Sequence, residues 1–431
     1  MNRRRFLKTA ASSSLMLRVA GCSAANPVAD RPNLFIYIAD DQYRSSLGCY
    51  GATPSHTPNI DRLANQGMRF TSCFTQSSIC TPNRGTLFTG MYPLKHGAHA
   101  NHSGFYDGVK SLPNYMKESG YRACIVGKDH IAKPSDLYRW EFRIEKSAER
   151  MPGADGPERD RHRKTDFDQV EKFITAKDRR PFCLVHGASL PHAPNLTELP
   201  NGLKGYDASN WYLDYELGRY LELFERHGIL DSMVILYVND NESQQPRSKF
   251  TLFETGLQVP MILRWPGKVK AGMVCDAMVG FIDILPTLLE IVQRDIPANI
   301  DGKSMLDLWQ GRTGRHHEEL FASYTGVLVS TQRQETPYPI RSLRDRRYKY
   351  IRYLNYQVGH PKQNGAFFPY EQLFDLSIDP GENDNLVTDP GFQAIRQAMS
   401  AKVDAWMARM GDQGVESERQ TLQKYPAKQT L

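Results

Sequence analysis

Asn33-Leu34-Phe35-Ile36-Tyr37-Ile38-Ala39-Asp40-Asp41 is an unbroken apolar run that ends on two acids. Such a run reads as a strand buried on both faces, here delivering two carboxylates at its C-terminal end. β-rich apolar runs recur at 123–126, 182–185 and 234–238, and residues 60–70 read as a helix leading into a strand at 70–74. Helical patterns lie between them at 112–119 and 211–227, the latter with Tyr212, Tyr215, Leu217, Leu221 and Phe224 on one face. Strands alternating with helices predict an α/β fold, a large mostly parallel sheet covered by helices on both faces. In such sheets ligands gather at the carboxyl ends of the strands.

After about residue 320 the pattern changes. Residues 340–353 read as a hairpin around Arg344-Asp345-Arg346. Phe392, Ile395, Met399, Val403, Trp406 and Met410 recur at helical spacing, and a frayed polar tail is expected after Gly411. The chain thus divides into an N-terminal segment (1–29), a main catalytic α/β domain (30–320) and a smaller C-terminal α+β domain (321–431).

With 40% hydrophobic and 24% charged residues, the 431-residue chain is neither disordered nor fibrous. Its net charge of +6 is concentrated in Arg3, Arg4, Arg5, Lys8 and Arg18, which account for all but one of those charges. A basic surface for nucleic acid is therefore not expected. Arg3-Arg4-Arg5-Phe6-Leu7-Lys8 followed by a weakly apolar stretch resembles a twin-arginine export signal, which implies the twin-arginine export machinery as a partner. Val19-Ala20-Gly21-Cys22 resembles a lipobox, with Cys22 as the lipidated residue and a lipid anchor. The expected location is the bacterial cell envelope, periplasmic or lipid-anchored. The seven cysteines are irregularly spread and read mostly as buried thiols.

One cysteine is different. In Cys80-Thr81-Pro82-Asn83-Arg84-Gly85-Thr86-Leu87-Phe88-Thr89-Gly90, Thr81 suits an N-cap, Pro82 the first helical position and Gly90 the C-terminal cap. Cys80 then precedes a helix N-terminus, whose free N–H groups favour an anion, and Arg84 lies one turn in.

Cys-x-Pro-x-Arg followed by x-x-Leu-x-Thr-Gly resembles the signature of the formylglycine-dependent (type I) sulfatases of the alkaline phosphatase superfamily. The resemblance spans residues 32–386. Asp40-Asp41 matches the first metal-binding pair, and Asn239-Asp240-Asn241 the second, with Glu242 where glycine is usual. Gly127-Lys128-Asp129-His130 is similar to the family's Gly-Lys-Trp-His element, with Asp129 replacing Trp. Pro191-His192-x-Pro194 resembles the segment carrying a further active-site histidine, and Lys249 matches the lysine preceding Val259-Pro260. Asn83 replaces the usual serine inside the signature.

The residue types suit the chemistry. A sulfate monoester repels nucleophiles, so a site must neutralise its oxygens and supply an activated oxygen. Asp40, Asp41, Asp240 and Asn241 offer hard oxygen donors, which suit Ca²⁺ or Mg²⁺ rather than zinc, and the resemblance implies Ca²⁺. It further implies that a maturation enzyme oxidises Cys80 to formylglycine, whose hydrate attacks sulfur. His192 and Lys249 then sit near the leaving oxygen, with His192 the proton donor. His130 takes a proton from the second hydroxyl to expel sulfate, while Lys128 and Arg84 hold the hydrate and neutralise charge. Only a geminal diol can perform that elimination, so a serine or an unmodified cysteine would stall after the first step.

The reading is a sulfuric ester hydrolase acting on a sulfated carbohydrate. Its rivals are a phosphodiesterase or phosphonate monoester hydrolase on the same fold, and a catalytically silent glycan-binding protein. His96, His99 and His102 read as solvated loop histidines, and His186 as a core residue. Arg341, Arg344, Arg346, Arg347 and Lys349 read as a charged hairpin face.

Overall fold

A computed structural model describes residues 31–131, 138–155, 162–243, 245–326, 337–355 and 370–424. The export-type segment and Cys22 lie outside these residues.

Eight strands form the main sheet: β1 (Leu34–Asp40), β2 (Met68–Phe70), β4 (Arg122–Gly127), β5 (Phe142–Ile144), β6 (Phe182–Pro191), β8 (Val234–Asn239), β9 (Met261–Arg264) and β10 (Met273–Cys275). Short strands β3 (Cys73–Phe74), β7 (Leu196–Glu198) and β11 (Val279–Gly280) lie outside it. The order is β10-β2-β9-β8-β1-β6-β4-β5, and only β9 runs antiparallel to its neighbours. The expected mostly parallel sheet is therefore present.

Successive residues of β1 point to opposite faces and feed two separate cores. Leu34, Ile36 and Ile38 pack on the face covered by α2 (Cys80–Thr89), α4 (Leu112–Glu118) and α8 (Ile284–Ile291). Phe35, Tyr37 and Ala39 pack on the other, under α1 (Pro58–Asn65), α5 (Phe167–Ile174) and α6 (Gly205–Arg226). Having no solvent face, β1 cannot alternate polar and apolar residues, hence the unbroken run. On α6, Tyr212, Leu217, Leu221 and Phe224 are buried as expected. Tyr215 is not: it is 39% exposed and stacks on Trp211, because it lies off the face turned to the sheet.

The C-terminal region holds a four-stranded antiparallel sheet of β12 (Glu319–Thr325), β13 (Pro339–Asp345), β14 (Tyr348–Tyr353) and β15 (Glu371–Asp375). The β13–β14 hairpin turns at Arg346-Arg347, close to the expected centre. Only Arg346 and Arg347 form the expected solvated face; the other charges turn inward. Arg341 is fully buried and donates from Nε to Asp412 Oδ2 at 2.5 Å. Arg344 and Lys349 share Glu254, at 2.9 and 3.0 Å. Burial without partners would cost several kcal/mol per ion, so these pairs are structural. The helix predicted from Phe392 onward is α10 (Gln393–Met410), ending on Gly411 at φ 66°. No frayed tail follows directly. Residues Val415–Lys424 form a further helix, α11, whose buried Glu418 accepts from Tyr338 N at 2.6 Å and whose Thr421 meets His99 Nε2 at 2.7 Å.

Trp406 of α10 joins this sheet to the rest of the chain. Fully buried, it stacks on Phe321 of β12 with ring centroids 5.2 Å apart and meets Tyr92 edge-on at 5.2 Å. Trp406→Ala should lower the unfolding free energy by about 3–5 kcal/mol, the usual cost of emptying a large aromatic site. A drop under about 1 kcal/mol in urea denaturation would contradict this packing role.

Candidate active site

The register of four adjacent strands places the predicted residues. Parallel pairing sets Ala39 of β1 beside Asn239 of β8, so the acids that follow both strands emerge side by side. On the other flank, Gly127 of β4 pairs with Gly187 of β6, which aligns Lys128 with the same edge. His192 follows the last residue of β6. Asp41 turns off the sheet with φ 61°, a left-handed conformation that aspartate tolerates better than most residues.

Helix α2 supplies the rest. It starts at Cys80 rather than after Thr81, with Ile79 as the N-cap residue. Thr81 does not cap; its hydroxyl donates to the His130 carbonyl at 2.9 Å and accepts from His102 N at 3.0 Å. Gly90 closes the helix at φ 65° as expected. Asn83 ties the preceding loop to the site: its Nδ2 donates to Ser77 O and Asp240 O, both at 2.7 Å. A serine at this position has one donor hydrogen and could not serve both carbonyls.

At the edge, three carboxylates meet three cations. Lys128 Nζ donates to Asp40 Oδ2 at 2.6 Å, Lys249 Nζ to both oxygens of Asp41 at 2.6 Å, and Arg84 Nε to Asp240 Oδ2 at 2.8 Å. Cys80 Sγ sits among them, 3.6 Å from Asp40 Oδ1 and 3.8 Å from Lys249 Nζ. His192 Nδ1 donates to the Ala193 carbonyl at 2.6 Å, and its Nε2 faces Asp41 Oδ2 at 3.6 Å. Nine predicted residues thus converge: Cys80, Arg84, Lys128, His192, Lys249, Asp40, Asp41, Asp240 and Asn241. His130 stands beside them, its Nε2 2.9 Å from His102 Nδ1.

Burial and charge act in opposite directions here. Burial works to raise the Asp40 carboxyl, but Lys128 and Arg84 outweigh it and hold Asp40 well below the usual range. Asp240 is raised instead, by burial and by the neighbouring Asp40, which Arg84 only partly offsets. Burial, then Lys128, His102 and Arg84, push His130 well down, so it stands as a neutral imidazole able to accept a proton. Burial raises the Cys80 thiol, with Asp240 adding to it, so an unmodified thiol here stays protonated and weakly nucleophilic.

The oxygen set fits a hard divalent cation. Asp40, Asp41, Asp240 and Cys80 each offer an atom within 4.8 Å of the others, all buried. Asn241 Nδ2 donates to Asp41 Oδ1 at 2.6 Å, while its buried Oδ1 has no hydrogen-bond partner. An acceptor without a protein partner beside three carboxylates completes a donor set that fits such a cation.

Several features were not legible beforehand. His96 and His99 are buried rather than solvated: His96 Nε2 meets Thr86 at 3.3 Å, and His99 links Thr325 to Thr421. His102 is a partner of His130, and its nearness to the signature helix was the only available hint. His186 is a core residue as expected, 2.9 Å from both Tyr220 OH and Glu216 Oε2. Gly187 was missed altogether. A Cβ there would lie 1.8 Å from the Lys128 carbonyl, which accepts from Arg84 Nη1 at 2.9 Å.

The family-model match, on this fold, defines a hydrolase of the alkaline phosphatase superfamily. Residues 32–293 match the Sulfatase family, residues 247–409 match the family described as N-sulphoglucosamine sulphohydrolase, C-terminal, and the chain belongs to the sulfatases. It is 32% identical to an ulvan-active sulfatase of Formosa agariphila, over 90% of this chain and 82% of that one. A protein solved with its substrate D-glucosamine-2-N,6-O-disulfate shares the fold at TM-score 0.71 and 18% identity, covering 90% of this chain and 99% of that one. The phosphonate monoester hydrolase of Agrobacterium radiobacter does so at TM-score 0.68 and 18% identity, covering 90% and 97%.

Gly187→Ala tests the edge geometry. The added methyl must push the Lys128 carbonyl away and shift both Lys128 and Arg84. A displacement of about 1 Å should cost on the order of 100-fold in kcat/KM. Unchanged kinetics in a folded variant would show that the close approach is dispensable.

Proposed function

We propose that this sulfatase cleaves sulfate monoesters on a sulfated glycan, with residue 80 matured to formylglycine and a hard divalent cation, Ca²⁺ before Mg²⁺, as cofactor. The observation that carries the reading is Cys80 at the first turn of α2, facing Asp40, Asp41 and Asp240 and flanked by Lys249. Asp40, Asp41, Asp240 and Asn241 would hold the cation. When bound, such an ion polarises a sulfate oxygen and favours the ionised form of an oxygen at residue 80. A geminal diol at residue 80 would offer one hydroxyl to attack sulfur as the alcohol departs, and a second whose deprotonation reforms the aldehyde while the carbon–oxygen bond to sulfate breaks.

The remaining work falls to side chains. Arg84 and Lys128 neutralise negative charge at residue 80, fixed by their pairs with Asp240 and Asp40. His192, oriented by its bond to the Ala193 carbonyl, presents Nε2 to the pocket and protonates the departing alcohol. Lys249, anchored on Asp41, stabilises charge on the same oxygen. His130, kept neutral, removes the proton that releases sulfate, and His102 holds its ring.

The substrate class follows from the named relatives, one ulvan-active and one solved with a disulfated glucosamine. The N-terminal arginines and Cys22 support export and lipid attachment in a bacterial envelope. Residues 1–29, 30–320 and 321–431 serve as address, catalytic domain and smaller C-terminal domain.

Mass spectrometry of the peptide containing residue 80, made in a host that matures sulfatases, should find an aldehyde or its hydrate in place of the thiol. Cys80→Ala should lower sulfate release by at least about 10³-fold, as loss of a nucleophile does. Chelation of the divalent ion should abolish turnover of an aryl sulfate. Fully active protein that still carries the free thiol would overturn the formylglycine assignment. Faster cleavage of an aryl phosphodiester than of the aryl sulfate would favour the phosphonate hydrolase rival.

A further inference from the structure

A second cluster of metal-type donors lies apart from the carboxylate pocket. Asp283, His316 and His317 each offer an atom within 4.8 Å of the others. Asp283 is fully buried at the start of α8, while the two histidines precede β12. The carboxylate is locked in place: Oδ2 accepts from Gly280 N at 2.8 Å and Oδ1 from Lys303 N at 2.9 Å. His317 Nε2 stands 2.9 Å from both oxygens, and its own N–H donates to the Met278 carbonyl at 3.1 Å.

His316 is the informative member. Its side chain is 7% exposed, and its Nε2 faces Asp283 Oδ2 as an ion pair at 3.3 Å, outside ideal hydrogen-bond geometry. A buried ring nitrogen left unsatisfied normally costs free energy unless something else occupies its lone pair. Nitrogen and oxygen donors on one tetrahedral zinc ion stand about 3.3 Å apart, given metal–ligand distances near 2.0–2.1 Å. The His316 contact already has that spacing, and the His317 contacts need open by only a few tenths of an ångström.

We propose that Asp283, His316 and His317 form a second metal site, taking Zn(II) with a fourth position for water, which clasps the approach to β12 against the start of α8. Two imidazoles and one carboxylate select a borderline transition metal over the hard cations that suit the all-oxygen pocket. The site is structural: it pins the C-terminal sheet to a helix of the main core, where the backbone bond from His317 to Met278 already marks the seam.

The full-length protein, stripped by a chelator and kept in excess Ca²⁺, is titrated with Zn(II) against a chromophoric competitor. Wild type should take up about one more equivalent than a His316→Ala/His317→Ala variant, and Zn(II) should raise the melting midpoint of wild type alone. Equal zinc uptake by the two would overturn the site and leave only a histidine–aspartate ion pair. If the double variant fails to fold, Co(II) loaded into a Cys80→Ala background decides. Intense visible bands of a nitrogen/oxygen-ligated tetrahedral ion support the site, and a weak octahedral spectrum refutes it.

Discussion

Buried charge must be balanced where water cannot reach it, and this requirement governs the edge of the main sheet. Asp40, Asp41 and Asp240 are each at most 2% exposed, and none could remain ionised there alone. Each is matched with its own cation, Lys128, Lys249 and Arg84 respectively. The arrangement is neutral as it stands, so an added divalent ion leaves two positive charges in the pocket. That surplus suits an anionic ester together with a nucleophile that must lose its proton to attack.

The register of β4, β6, β1 and β8 makes this balance achievable. The partners come from positions up to 208 residues apart in sequence: Asp40, Asp41, Asp240 and Lys128 stand at strand ends, Arg84 on α2, and Lys249 in the loop beyond β8. Parallel pairing fixes which residues emerge side by side, and Gly187 lets two backbones approach closely enough for Arg84 to reach the Lys128 carbonyl. Departures from the usual family residues fit the same frame. Glu242 is buried and accepts from Arg44 N at 2.8 Å, with burial pushing its carboxyl up to about 8. Asp129 pairs with Arg143 at the rim.

The sheet was legible in the sequence because strands buried on both faces leave unbroken apolar runs, and the acids that end them stand out. The signature helix was legible from Pro82 and Gly90, although its start lay two residues earlier than the capping pattern suggested. Partnerships between distant polar residues were not legible. Nothing near Arg341 or Lys349 announces Asp412 or Glu254, and a charged hairpin looks alike in sequence whether solvated or buried. His99 hid for the same reason, since Thr325 and Thr421 close around it from far along the chain. The helix at 415–424 escaped notice because its buried side is polar: Glu418 and Thr421 do the anchoring.

All ten residues of α2 are buried, and Cys80 is 1% exposed. For the proposed oxidation this sets a deadline. A modifying enzyme must grip the backbone around residue 80, which the finished fold withholds from any visitor. On the proposed reading, maturation would have to act on the unfolded chain, and a molecule that folded first would keep its sulfur for life.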